Sequence, residues 1–132
     1  MTGDTTYYLS ITQVLAIHDQ MIRRFGGSLG IRDLGLIESA IARPKATFDG
    51  VDLYHTLFDK AAALLQSLLK NHPFIDENKR TALSSAGIFL ALNGYKLINK
   101  NKQEVTFTLD VAIDKLTLKE ISAWLKKYST KI

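Results

Sequence analysis

The stretch NHPFIDENKRTA, residues 71–82, decides how this chain is read. Between His72 and Arg80 it holds an imidazole, two carboxylates, an amide and two cations. Apolar sequence flanks it, AAALLQSLL before and ALSSAGIFLAL after. Proline disfavours helix at the residue before it, so Pro73 ends the first flank as a helix near Asn71. The second flank predicts a helix that begins near Asn78 and closes at Asn93 or Gly94. The outline is therefore helix, short polar loop, helix. A helix N-terminus carries unpaired N–H groups and partial positive charge. Lys79 and Arg80 fall in its first turn, where cations are unfavourable unless an anion offsets them. Phosphate chemistry fits that pattern. Asp76 either caps the helix or binds a divalent cation, and Asn78 either caps it or meets a phosphate oxygen. His72, across the loop, is a general-base candidate near neutral pH.

Each of these residues also has an ordinary structural use. A histidine before proline serves as a cap or in packing, Asp and Asn cap helices, and surface cations are solvated. Phe74 reads as the anchor of the loop in the core. The stretch is not a Walker A loop, because no Gly-x-x-x-x-Gly-Lys-Ser/Thr occurs.

Outward from this centre the pattern is helical. Ser10 and Gln13 form a capping box, and Val14, Ile17, Met21, Ile22 and Phe25 recur at helical spacing until Gly26 and Gly27. RDLGLIESAIARP predicts a second helix, with Asp33 as N-cap and Pro44 as stop. KATFDGVDLY is either a short hairpin or an irregular loop. LFDKAAALLQSLLKN is a strong helix former, apolar on most sides. After a basic, polar KLINKNKQEV come two more helices, about TLDVAIDKL and TLKEISAWLKKY. His18 reads as structural, His55 as a surface residue near a cap, and Trp124 as core.

The 132 residues suit one domain, 1–132, that is all-α with about six helices and a short flap or hairpin. Hydrophobic residues are 46% and charged residues 23%, as in ordinary globular proteins. The absence of cysteine excludes disulfides and thiolate metal sites. No signal-peptide pattern opens the chain, and its longest uncharged run is too short and polar to span a bilayer, so a cytoplasmic protein without membrane contact is expected. The net charge of +4 is scattered, with mild clusters in KLINKNK and WLKKYSTKI, and reads as a solvated face. A helix-turn-helix is disfavoured by the proline and acidic groups of residues 71–78, and direct nucleic-acid binding is not expected.

HPFIDENKR resembles the signature of the Fic/Doc proteins, roughly His-Pro-Phe-x-Asp/Glu-Gly-Asn-Gly/Lys-Arg. Lys79, the NKRTAL continuation, IRDLGLIESAIARP and FLALNGY are similar to its death-on-curing (Doc) branch, and the resemblance covers about residues 8–128. It implies a compact Fic-type helical fold. It implies His72 as the base that deprotonates a target hydroxyl, Asp76 as the holder of Mg²⁺, and Asn78, Lys79 and Arg80 as the phosphate cradle for ATP. It places a target-aligning flap at residues 45–52, beginning Lys45, Ala46, Thr47, Phe48. It implies a toxin of a toxin–antitoxin pair. The activity implied is a kinase that phosphorylates a Ser/Thr hydroxyl of a translation factor of the elongation factor Tu type and stops protein synthesis. An antitoxin segment that orders on binding would inhibit it. AMP-transferring members of the family have Gly at position 79 and a second Arg where this chain has Leu83, so protein adenylylation is the alternative. The self-inhibitory Ser/Thr-x-x-x-Glu-Gly/Asn helix of other Fic proteins is not found, which fits inhibition by a separate partner. Glu77 departs from the family's small residue. If that position needs positive φ, Glu there implies a weakened nucleotide site or a side chain turned to solvent, and a catalytically degenerate binding domain becomes a further alternative.

Overall fold

A computed structural model describes residues 5–98 and 101–132. Residues 1–4, and residues 99–100 of the basic stretch, lie outside the described residues. The chain runs α1 (Ile11–Phe25), α2 (Leu34–Ala42), a 3-10 turn (Arg43–Lys45), β1 (Thr47–Phe48), β2 (Val51–Asp52), α3 (Leu57–Asn71), α4 (Asn78–Leu92), β3 (Tyr95–Leu97), α5 (Asn101–Ala112), α6 (Leu118–Lys127) and β4 (Ser129–Lys131). Among the described residues no helix is long and apolar enough to cross a membrane.

Helix α3 is the axis of the core. It packs against α4 and α6 most extensively, and against α2 and α5. Its sequence explains this. Ala61, Ala62, Ala63, Leu64, Leu65, Leu68 and Leu69 are all buried, so neighbours cover it on several sides. Small residues on α4, Ala82, Ser85 and Ala86, let the two helices approach. α1 lies on α4, its capping box formed as the spacing predicts: Ser10 Oγ accepts from Gln13 N and Gln13 Oε1 from Ser10 N. Asp33 caps α2 by accepting from Leu36 N. Pro44 stops it by way of the 3-10 turn. Trp124 is half-buried at the rim of the core and stacks on Phe107, with ring centroids 3.8 Å apart.

The open choice at KATFDGVDLY resolves as a hairpin. Thr47 pairs with Asp52 and Phe48 with Val51. Asp49 and Gly50 both take positive φ, +52° and +78°, the geometry that a two-residue Asp-Gly turn supplies. Its base is clamped to α3. Lys60, only 3% exposed, bonds Asp52 Oδ2 at 2.9 Å and the Tyr54 carbonyl at 2.5 Å. Arg43 bonds the Tyr54 hydroxyl, Gln66 and Ser67.

Two features near the C-terminus differ from the sequence reading. Part of the basic stretch KLINKNKQEV is strand β3, paired antiparallel with β4 beyond the last helix: Tyr95 faces Lys131 and Leu97 faces Ser129. Helix α5 begins at Asn101 rather than near Thr108, and ends at Ala112 rather than at Leu116. Asp114 makes that stop by adopting φ +62°, a left-handed conformation that glycine usually signals.

Candidate functional site: a braced loop at the start of α4

The loop between α3 and α4 has two sides, and its residues divide between them. The inner side is fully engaged. Phe74 is 2% exposed and stacks on His18, with ring centroids 3.8 Å apart and planes 7° from parallel. His18, itself buried, places Nε2 2.9 Å from the Asp76 carbonyl oxygen. Its structural reading therefore stands, with the addition that what it supports is this loop. Asn78 does not cap the helix. Its Oδ1 accepts from Phe74 N at 3.0 Å and its Nδ2 donates to the Phe74 carbonyl at 2.9 Å, tying the loop back on itself.

The segment between α1 and α2 runs along the same loop. Ser28 N donates to Asp76 Oδ2, Ile75 N to the Gly30 carbonyl, and Arg32 N and Asp33 N to the Pro73 carbonyl. Ile31 and Phe74 form an isolated antiparallel bridge. Two glycines permit the approach: a Cβ on Gly27 would lie 2.7 Å from Asp76 Oδ2, and one on Gly30 2.9 Å from Ile75 Cγ1. This brace escaped the sequence reading, which took Gly26 and Gly27 only as a helix stop. The signal present was the positive φ that Gly27 and Gly30 can supply.

Asp76 is held by two backbone donors, Ser28 N at 3.1 Å on one oxygen and Glu77 N at 2.8 Å on the other. These bonds, Ser28 first, hold its carboxyl below the ordinary carboxylate range, with the charges of His18 and Lys79 helping against partial burial. It stays ionised at neutral pH with lone pairs to spare. Among the described residues no cluster of three or more His, Cys, Asp or Glu could hold a metal. A cation here would have one protein carboxylate and would take its other ligands from elsewhere, as magnesium does on a nucleotide.

The outer side opens on a groove of about 1220 Å³ between α1, α4 and α5, lined by residues 76–80, Met21, Phe25 and Leu83. No side chain caps α4: Glu77 occupies the N-cap position at φ +62°, ψ +30°, with no capping bond. The first turn of α4, Asn78, Lys79 and Arg80, lines the groove, and Lys79 is exposed and makes no hydrogen bond or ion pair among the described residues. Arg80 is not free. Its Nη1 lies 3.1 Å from both oxygens of Glu77, and its guanidinium sits 4.0 Å from the centre of the Phe25 ring. Glu77 does take the positive φ that its position demands, but it does not turn to solvent. Its side chain is 15% exposed and faces Arg80.

The structure thus brings Asp76, Asn78, Lys79 and Arg80 to one groove. His72 lies at the loop's other end, exposed, in the left-handed conformation at φ +46°, and is not among the residues lining the groove. Lys45, Ala46, Thr47 and Phe48 are on the hairpin rather than in the groove. Phe48 is 74% exposed at its tip, with Val51 and Leu53 exposed beside it.

Fold and site together define a helical domain in which a loop braced from both sides leads into the uncapped start of α4. The family model described as Fic/DOC family matches residues 8–90, and the chain belongs to that family. It is 31% identical over 120 residues to the protein named protein kinase doc of Escherichia phage P1, covering 91% of this chain and 94% of that one. It is 59% identical over 73 residues to the protein named toxin Doc of Mycolicibacterium smegmatis, a match that spans 55% of this chain and 56% of that protein.

Proposed function

We propose that this protein is a Doc-type toxin of a toxin–antitoxin pair, acting in the cytoplasm as an ATP-dependent kinase on a Ser/Thr hydroxyl of a translation factor of the elongation factor Tu type. The observation that carries the reading is the uncapped start of α4, with Asp76, Lys79 and Arg80 facing one groove large enough for a nucleotide. The similarity over nearly the whole chain to a protein named as a kinase supports it.

In this reading the first-turn amides and Lys79 receive the phosphates, and Arg80 joins them once released from Glu77. Asp76 is the residue that would hold Mg²⁺, which supplies neutralisation of the phosphate charge. His72 takes the proton of the target hydroxyl. The hydroxyl oxygen bonds to the γ-phosphorus, the bond from that phosphorus to the bridging oxygen breaks, and ADP leaves with the electron pair. Little covalent work falls to the protein, so position and charge supply most of the catalysis. The exposed edge of the hairpin suits a target strand laid alongside it. An antitoxin segment that folds on binding is the expected inhibitor.

A second reading has one observation in its favour. The Glu77–Arg80 pair neutralises a cation that phosphate binding would use, as a degenerate domain acting only through its partner would allow. Parallel reactions with ATP labelled at the γ- or the α-phosphate, Mg²⁺, a bacterial extract and a His72→Ala control separate the possibilities. Label transferred from the γ-position alone, and lost in the control, is the expected result. Label from the α-position means adenylylation. No transfer by the wild type, restored by Glu77→Gly, means that Glu77 silences the site.

A further inference from the structure

We propose that Arg32 is the positioning residue of His72, an inference that rests on the reading of His72 as the general base. Arg32 Nε donates to the His72 carbonyl at 2.6 Å, its Nη2 donates to the Asn71 carbonyl, and its backbone N–H donates to the Pro73 carbonyl at 2.7 Å. One residue thus grips three successive carbonyls around His72.

A base of this kind is normally oriented by a third group that hydrogen-bonds its ring. His72 has none: its imidazole is exposed and makes no hydrogen bond among the described residues. Its direction is therefore set by its backbone, and that backbone is unusual. A β-carbon-bearing residue followed by proline is held at φ +46°, ψ +58°. Left-handed backbone is unfavourable for an L-residue and persists only where its surroundings fix it. The guanidinium supplies that fixation. Its planar fork matches two neighbouring carbonyls at the end of α3, where the helix dipole also favours a cation. Arg32 is itself exposed, so this grip is its evident use, and no core packing accounts for it. The groove residues lie on the other side of the loop, where they are held by Asn78, Ser28 and His18 rather than by Arg32. Loss of Arg32 should therefore misaim the base and leave the nucleotide site in place.

The test uses the purified protein with Arg32→Ala, Arg32→Lys and His72→Ala variants, γ-labelled ATP, Mg²⁺ and purified elongation factor Tu, together with the crystal structure of Arg32→Ala. Arg32→Ala is expected to lower kcat by about tenfold to a hundredfold with KM for ATP within about twofold, because a misplaced reacting group costs rate rather than binding. Arg32→Lys should recover only part, since an ammonium cannot span two carbonyls as a fork does. Millimolar guanidinium should restore part of the Arg32→Ala rate. In the crystal structure residue 72 should leave the left-handed region. Unchanged kcat overturns the proposal, as does residue 72 remaining at φ near +46° with its imidazole unmoved. A wild type that transfers no phosphate would refute the proposed kinase activity on this target, and transfer retained by His72→Ala would refute the reading of His72 as base. The crystal structure would then still decide whether Arg32 sets the conformation of residue 72.

Discussion

Replacing Glu77 by glycine should tighten nucleotide binding and leave stability nearly unchanged. Glu77 sits at φ +62°, a conformation that costs an L-residue about 1–2 kcal/mol. Glycine removes that strain but gives back about 0.5–1 kcal/mol through the greater freedom of the unfolded chain. The lost ion pair to Arg80, whose side chain is 52% exposed, is worth under about 1 kcal/mol. These terms cancel to within about 1 kcal/mol, so the melting temperature should move by no more than about 5 °C. Binding is different. A carboxylate about 6 Å from a phosphate, at an effective dielectric constant of about 40, repels it by about 1.4 kcal/mol, or tenfold in affinity. The freed Arg80 adds an attraction of similar size. Calorimetric titration with ATP and Mg²⁺ should therefore show affinity rising by about tenfold to a hundredfold, with the gain shrinking in high salt.

A Glu77→Ala variant separates charge from backbone. It should bind nucleotide as well as the glycine variant but melt lower, because alanine keeps the left-handed strain and loses the pair. Equal or weaker nucleotide affinity in both variants would refute the reasoning. It would mean that Glu77 does not compete with phosphate for Arg80.

Three further outcomes follow from the geometry. The lowered Asp76 carboxyl contributes stability above the unfolded value near 3.8, and that contribution is lost as pH falls through the folded value, so denaturant midpoints of wild type and Asp76→Asn should converge in acid; parallel profiles from pH 6 to 3 would contradict this. In the hairpin clamp, Asp52→Ala should destabilise by about 3 kcal/mol because it leaves the buried Lys60 ammonium without a counter-charge and with only the Tyr54 carbonyl, whereas Lys60→Met, which leaves a half-exposed carboxylate, should cost about 1–2 kcal/mol; urea unfolding that reverses this order would refute the burial argument. Gly27→Ala should cost more than Gly26→Ala by about 1–2 kcal/mol, since both have positive φ but only the Gly27 position would crowd the Asp76 carboxylate; thermal melts of equal depression would show that the brace can yield.

What the sequence made legible was local. The capping box of α1, the Asp33 cap, the proline stop after α3 and the start of α4 at Asn78 each depend on residues within a few positions, and each lies where the sequence puts it. What it hid was non-local or disguised. Strands β3 and β4 are three residues each and pair across the whole of α5 and α6, too short for a period to register. Asp114 ends α5 in a conformation whose usual sign is glycine. The brace along the loop joins residues 48 and 40 positions apart, and nothing in Ser28 or Arg32 advertises its partner.

The density of polar groups between His72 and Arg80 then has a physical account in two parts. A loop that must hold a fixed shape between two buried helices has many backbone groups to satisfy, and an unpaired one is costly. Asn78 and the Asp76 carboxylate meet that need from within the loop, while Ser28, Gly30, Arg32 and His18 meet it from outside. The polarity left over is Lys79 and the Glu77–Arg80 pair on the outer side, with His72 exposed at the loop's other end. Stability does not ask for cations at the start of a helix, and it is poorly served by Glu77 in a left-handed turn. The inner residues are explained by the fold. The outer ones need an anion to explain them, and the pair between Glu77 and Arg80 shows where that anion would have to compete.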